Sequence, residues 1–145
     1  MISQKATTLY QPACQQKPST VPLAHSPAAA GFPSPADDHV EGELNLHDLL
    51  IPHPTATFFV RVEGDSMQDA GIHSGDLLIV DRSLEPKHGK IVLAIYRGEF
   101  TVKRLEITPK GIQLVPSNAA FPTLSIEDPE AFQVWGIVTY VIHKP

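Results

Sequence analysis

Cysteine and clustered positive charge are the features most clearly lacking in this 145-residue chain. Its single cysteine, Cys14, cannot form a disulfide within the chain, so a secreted disulfide scaffold is disfavoured and a reducing cytoplasm is expected. Eleven Lys and Arg stand against 16 Asp and Glu, for a formal net charge of -5, and no basic block occurs. Direct sequence-specific DNA binding is therefore not expected, and nucleic acid would be reached through a partner.

Long hydrophobic runs are lacking as well. No run approaches the ~20 apolar residues of a membrane span. Residues 28–31 look like the small-residue cleavage site of a secretory signal peptide, but residues 1–27 hold four prolines and no continuous apolar segment. We therefore expect a cytoplasmic protein without membrane attachment.

Proline is distributed unevenly along the chain. Six of the 14 prolines lie before residue 38, among Gln, Ser, Thr and Ala and few large apolar residues. Repeated proline disfavours a helix, and no apolar periodicity is present from which a core could form. We expect residues 1–38 to be a flexible Pro-rich tail and residues 39–145 to be one folded domain.

The later residues have the pattern of a mostly β domain with one short helix. Leu46, Leu49 and Leu50 have helical spacing behind Asn45, a favoured N-cap residue. Segments rich in Val, Ile, Phe, Tyr and Thr predict strands at 57–62, 76–81, 90–96, 99–106, 111–115 and 132–143, with a tight turn at 97–98. Several of these segments are apolar on both faces. The predicted fold is a compact, curved, mostly antiparallel β domain.

Ser66 is a candidate nucleophile because of its position. It lies just past a predicted strand, and Gly64 lets the backbone turn sharply there. Serine after glycine in a loop is most often only a turn residue. The nucleophile-elbow pattern is missing, since Gln68 stands where its second glycine would be, so an α/β-hydrolase is disfavoured.

Lys103 is a candidate base. The strand pattern around Lys103 places it on the same face as Thr101, Leu105 and Ile107, which would desolvate its amine. Burial can lower a lysine pKa by up to about 3 to 5 units, making the neutral amine available to take a serine proton. The alternative is a lysine at a sheet edge whose amine reaches water.

The histidines leave a second possibility open. Ser66 could instead work with a histidine and an aspartate, but no spacing among the histidines matches a zinc-ligand motif, and no phosphate-binding glycine loop is present. Neither metal nor cofactor is therefore expected. The seven histidines are His25, His39, His47, His53, His73, His88 and His143.

Three separated segments stand out together: residues 30–36, residues 64–67 (Gly-Asp-Ser-Met) with 71–81, and residues 99–105. In this order they resemble the cleavage-site segment, the nucleophile region and the lysine strand of one family, the UmuD and MucA proteins of SOS mutagenesis, which are related to the LexA repressor. Ser66 and Lys103 are 37 residues apart, which fits the family. The resemblance continues through 53–59 and 134–138, so it covers about 30–141 but not 1–29.

The resemblance implies a Ser-Lys protease that cuts its own Ala30-Gly31 bond. Ser66 would be the nucleophile, Lys103 its base, and the backbone N–H groups of Asp65 and Ser66 the oxyanion donors. It also implies a RecA filament on single-stranded DNA as the trigger. The shortened product would be a homodimer that joins a UmuC-like Y-family DNA polymerase for translesion synthesis.

Three other classes of protein compete with this interpretation. A non-catalytic, dimeric polymerase-binding module could share the fold and keep Ser66 and Lys103 as relics. A LexA-like repressor would need a helix-turn-helix domain before Gly31, but only 30 residues precede it here and they form a Pro-rich segment. A signal peptidase of similar Ser-Lys chemistry would need a membrane anchor, which we do not expect.

Overall fold

The computed structural model describes residues 5–12, 20–24 and 40–145. The chain divides into two compact units, one formed by Met1–Pro12 with His53–Pro145 and the other by Ala13–Pro52. In chain order the regular elements are β1 (Lys5–Tyr10), β2 (Thr20–Ala24), β3 (Val40–Asn45), α1 (Leu46–Leu50), β4 (Thr57–Glu63), β5 (Leu77–Asp81), β6 (Ile91–Tyr96), β7 (Glu99–Thr108), β8 (Gly111–Val115), β9 (Leu124–Ser125) and β10 (Phe132–Ile142).

The larger unit is built on one eight-stranded sheet. Its strand order is β1-β4-β5-β10-β6-β7-β8-β9, and each of these neighbouring pairs is antiparallel. The last strand, β10, therefore lies between β5 and β6 in the middle of the sheet. This arrangement confirms the predicted antiparallel β fold.

Both faces of the central strands are covered. Four consecutive residues of β5 and three of β6 are buried, although successive side chains of a strand point to opposite faces. Two apolar clusters fill these faces, one including Val60, Leu78 and Met67 and the other including Leu105 and Leu114. Burial on both faces explains why these segments read as continuous apolar runs.

The central strand β10 is irregular in two places. Its register shifts between Val134 and Gly136 against β6, and between Val138 and Tyr140 against β5. Such bulges bend and twist a strand, which fits the curvature that we expected. Gly136 is required by close packing, because a Cβ atom there would lie 2.5 Å from Cγ1 of Val80.

A tight turn at Arg97 and Gly98 joins β6 to β7. Both residues have positive φ, 50° and 81°, as type I′ hairpin turns require. The turn confirms the sequence prediction and sets the β6–β7 register in which Lys103 lies opposite Val92.

The smaller unit contains an antiparallel hairpin of β2 and β3, followed by α1. Asn45 caps the helix as predicted, because its side-chain oxygen accepts a hydrogen bond from the backbone N–H of Asp48 at 3.2 Å.

The sequence predicted strands β4 to β8 and β10 to within two residues at each end, but it missed four others. The missed strands are β1, β2, β3 and β9. Residues 5–10 and 20–24 are thus strands within the segment that we predicted to be a flexible tail. That prediction gave more weight to the proline content of the segment than to its short β-prone runs. The boundary at residue 38 stays a prediction. In the described part of the chain, no helix is both long and apolar enough to cross a membrane.

Candidate active site

Ser66 lies in the loop that follows β4. Gly64 has a φ of 96°, a left-handed conformation that favours glycine, and it turns the chain out of the strand. A 3₁₀ turn at Gln68–Ala70 and a left-handed Gly71 then complete the loop. Ser66 and Met67 are fully buried, so the loop packs its serine inward rather than presenting it to water.

Lys103 reaches Ser66 from the other side of the site. It lies on β7, its residue is only 6% exposed, and its Nζ donates a hydrogen bond to Oγ of Ser66 at 2.8 Å. Nζ also donates to Oγ1 of Thr101 at 2.8 Å and to the backbone carbonyl of Val102 at 3.1 Å. The Thr101 hydroxyl lies within reach of Nζ because residues two apart on a strand share a face. The structure therefore brings together the two residues that the sequence singled out.

Burial changes the protonation of this lysine. Desolvation of the ammonium group lowers the pKa of Lys103 from 10.5 to about 8. At pH 7 about one molecule in ten then carries a neutral amine, against a few in ten thousand for an ordinary lysine. A neutral amine 2.8 Å from a serine oxygen can accept the hydroxyl proton.

Two residues that the sequence analysis did not identify hold the serine loop in place. The backbone N–H of Ser117 donates to the carbonyl of Ser66 at 2.8 Å, and the carbonyl of Ser117 accepts from the N–H of Asp69 at the same distance. The side-chain amide of Asn118 donates to the carbonyl of Asp65 at 2.9 Å. Three hydrogen bonds from one segment thus position the loop, and no spacing rule could have revealed them.

A cleft of about 710 Å³ opens beside Lys103. Its lining combines apolar and polar side chains. The residues that line it are Tyr96, Arg97, Glu99, Thr101, Lys103, Phe121, Pro122 and Leu124.

The remaining predicted site residues have different outcomes. Ala30 and Gly31 lie outside the described residues, so the cleavage site stays a prediction, as do the oxyanion roles of Asp65 and Ser66. Four of the histidines have other partners: His53 lies against Asp81, His73 and His143 lie against Asp76, and His88 accepts the N–H of Ile107. It is Lys103 that lies at hydrogen-bond distance from the serine hydroxyl.

Comparisons with known proteins identify the family of this chain. A family model described as Peptidase S24-like matches residues 22–139. The chain is 52% identical over 132 residues to Protein SamA of Salmonella typhimurium, an alignment that covers 90% of this chain and 91% of that protein. It is 48% identical over 122 residues to Protein MucA of Escherichia coli, covering 83% of each. It is also 42% identical over 117 residues to the LexA repressor of Idiomarina loihiensis, covering 80% of this chain and 57% of that protein.

The fold, the buried serine and the family match define a protein of the serine-peptidase class. More particularly, the chain belongs to the Peptidase S24-like family and, within it, to the UmuD/MucA group of SOS mutagenesis proteins.

Proposed function

We propose that this protein is a serine protease that cuts its own Ala30-Gly31 bond, with Ser66 as nucleophile and Lys103 as general base. The observation that carries the proposal is the 2.8 Å contact between Lys103 Nζ and Ser66 Oγ, made by a lysine whose pKa burial lowers to about 8. A base is most effective when its pKa lies near the working pH, and a lysine of ordinary pKa lies far above it.

The reaction would proceed in two stages. Neutral Lys103 takes the proton of Ser66 Oγ as that oxygen attacks the carbonyl carbon of Ala30, and the resulting ammonium returns the proton to the departing nitrogen of Gly31. Water, again deprotonated by Lys103, then hydrolyses the ester between Ala30 and Ser66. The products are a chain that ends in the carboxylate of Ala30 and one that begins with the amine of Gly31.

The oxyanion would be stabilised by backbone donors. We assign this role to the N–H groups of Asp65 and Ser66. The hydrogen bond from Asn118 engages the carbonyl of Asp65, which lies in the same peptide group as the N–H of Ser66, and so fixes the orientation of that donor. A preorganised donor of this kind typically contributes about a hundredfold or more to a rate.

The burial of both groups favours a substrate from the same chain. Ser66 is fully buried and Lys103 is nearly so, and a peptide diffusing from solution would reach them poorly. A covalently attached segment, in contrast, is present at high effective concentration, so attack on it becomes effectively unimolecular.

Family membership supports the biological setting. We infer that a RecA filament on single-stranded DNA stimulates the cut, and that residues 31–145 then form a homodimer that serves as accessory subunit of a UmuC-like Y-family polymerase. We also infer a cytoplasmic location, which suits a chain with one cysteine. The competing function is a non-catalytic polymerase-binding module of the same fold.

The test is mass spectrometry of the full-length protein incubated between pH 6 and 10, and at pH 7 with activated RecA filaments. We expect fragments that end at Ala30 and begin at Gly31, with a rate about a hundredfold higher at pH 9 than at pH 6 because the neutral fraction of Lys103 rises through about pH 8.

Three variants separate the roles of the residues. Ser66→Ala and Lys103→Ala should both abolish cleavage, whereas Lys110→Met, which replaces an exposed lysine in the turn after β7, should leave the rate unchanged. Normal cleavage by Lys103→Ala would refute the dyad. An uncut wild-type chain under all conditions would leave the non-catalytic module as the function.

A further inference from the structure

A second group of polar side chains lies where β10 ends beside the turn that precedes β5. It consists of His73, Asp76 and His143, whose potential ligand atoms all lie within 4.8 Å of one another. Nδ1 of His143 is 2.6 Å from one carboxylate oxygen of Asp76, and Nδ1 of His73 is 3.8 Å from the other. We call this group the histidine cluster.

Sheet register explains how distant residues meet here. Ile142 pairs with Leu77 in the antiparallel ladder of β10 and β5. His143, the residue after β10, therefore lies opposite Asp76, the residue before β5. His73 is brought in by the local turn, since its backbone N–H donates to Asp76 at 2.8 Å and its carbonyl accepts from the N–H of Asp76 at 3.0 Å. The cluster thus combines residues 67 positions apart, which is why histidine spacing did not predict it.

We infer that His73, Asp76 and His143 form a zinc-binding site. Two imidazole nitrogens and one carboxylate oxygen are ligands that zinc prefers, and a donor set with two nitrogens is unsuited to calcium or magnesium. Each oxygen of Asp76 already faces the Nδ1 atom of one histidine, and the two imidazole rings lie against each other with their centroids 4.8 Å apart.

The geometry requires only small adjustments. Tetrahedral zinc with bonds of about 2.0 to 2.2 Å holds its ligand atoms roughly 3.4 Å apart. The histidine side chains are 46% exposed and can rotate toward that distance, while Asp76 is 4% exposed and fixed by the turn. The exposed side leaves a fourth position open to water.

Zinc bound at this site would lie close to the loop that carries Ser66. The turn that carries His73 and Asp76 is bonded to the end of β4: Gly75 N–H donates to the Val62 carbonyl at 2.8 Å, and Gly64 N–H donates to Ser74 Oγ at 3.2 Å. Zinc would therefore fasten the end of β10 to the segment that leads into Ser66.

The experiment is calorimetric titration of the untagged, full-length protein with zinc chloride. The protein carries Cys14→Ser, so that the lone thiol cannot contribute a ligand. We expect one zinc ion per chain, a rise in melting temperature with zinc, and no comparable effect of magnesium. These readouts do not depend on cleavage, so their failure would leave the proposed function untouched, and a failure of cleavage would leave the zinc site untouched.

Matched variants locate the site. His143→Gln and His73→Gln should each weaken zinc binding at least about tenfold, since even loss of an outer-shell partner typically costs about 10- to 100-fold. His53→Gln is the control, because His53 has similar exposure, 48%, and the same 2.6 Å contact to a buried aspartate, Asp81, but no second histidine among the described residues lies at that carboxylate.

Two outcomes would overturn the inference. One is a zinc affinity that His143→Gln and His73→Gln leave unchanged, and the other is an equal loss in His53→Gln. Circular dichroism of each variant establishes that a loss of binding is not a loss of fold. A cobalt titration adds an independent readout, because visible absorption bands of bound cobalt should be present in the His53→Gln protein and absent from His143→Gln.

Discussion

Lys103 and Asp81 are both buried ionisable residues, with exposures of 6% and 2%, yet their surroundings favour opposite charge states, the neutral amine of Lys103 and the charged carboxylate of Asp81. Burial lowers the pKa of Lys103 to about 8 and so favours the neutral amine. Burial also acts to raise the pKa of Asp81, but hydrogen bonds from Ser83 and His53 outweigh it and lower that pKa below 3.8, so the charge is kept.

The difference lies in what surrounds each group. Asp81 receives the backbone N–H and the hydroxyl of Ser83 on one oxygen, and its other oxygen lies 2.6 Å from His53 Nδ1. Donors of this kind stabilise the carboxylate itself. Lys103 meets two hydroxyls and a carbonyl, which do not offset the desolvation of its charge. Asp81 therefore stabilises the fold while charged, whereas Lys103 is costly while charged and useful when neutral.

The largest expected effect is on stability when the buried lysine is removed. Lys103→Met should raise the free energy of unfolding at pH 7 by up to about 3 kcal/mol, the value of lowering the pKa from 10.5 to about 8. The pKa of Lys103 is lower in the folded protein than in the unfolded chain, so the full cost of the charged lysine to stability is present below pH 8. The gain should therefore shrink between pH 8 and 10.5, where folded Lys103 is already neutral and the unfolded chain still binds the proton.

Urea unfolding of both proteins in a Ser66→Ala background measures this difference without interference from cleavage. Lys110→Met, at an exposed site, serves as the control and should change little. A Lys103→Met protein less stable than its parent at pH 7 would show that the charged lysine stabilises the site and would remove the contrast with Asp81.

An intermediate effect is expected when the buried carboxylate loses its charge. Asp81→Asn should lower the free energy of unfolding at pH 7 by on the order of 2 kcal/mol, since hydrogen bonds to a charged group are worth about 1.5 to 3 kcal/mol. The folded pKa lies below 3.8, so this contribution is present above that pH and is lost as the pH falls below it.

Urea unfolding at pH 7, 5 and 3 tests the prediction for Asp81. The deficit of the variant should be similar at pH 7 and 5 and smaller at pH 3. Glu85→Gln, which neutralises an exposed carboxylate, is the matched control. A deficit that grows toward pH 3 would contradict the assigned direction of the pKa.

The smallest expected effect is a shift in the pH profile of self-cleavage when Thr101, a hydrogen-bond partner of Lys103, is replaced. Thr101→Val removes an acceptor that stabilises the ammonium form at 2.8 Å, so the pKa of Lys103 should fall further. The pH profile of self-cleavage should move to lower pH by about a few tenths of a unit, with an unchanged plateau. A shift to higher pH would mean that Thr101 stabilises the neutral amine instead.

The sequence was informative where local pattern determines structure. Strands β4 to β8 and β10 carry enough β-branched and aromatic residues to be found, and the helix was found from Asn45 and three leucines. It was uninformative about β9, which has two residues, and about β1 and β2, whose strand character comes from partners elsewhere in the chain.

The candidate site was predictable to a similar degree. Strand periodicity placed Lys103 on a face with Thr101, and the family resemblance paired it with Ser66. The support from Ser117 and Asn118 could not be predicted, because two of its three bonds are between backbone groups and all join segments about 50 residues apart. The histidine cluster depends on the β5–β10 register, which a single sequence does not contain.

Strand β1 gives the proposed cut a mechanical consequence. It lies before Gly31 in the chain and pairs along one side of β4, which makes β4 an interior strand of the sheet. Once the Ala30-Gly31 bond is broken, β1 is held only by non-covalent contacts, and its re-pairing depends on concentration rather than on a tether. Its departure would turn β4 into an exposed edge, whose unpaired N–H and C=O groups are a template for a strand of another molecule.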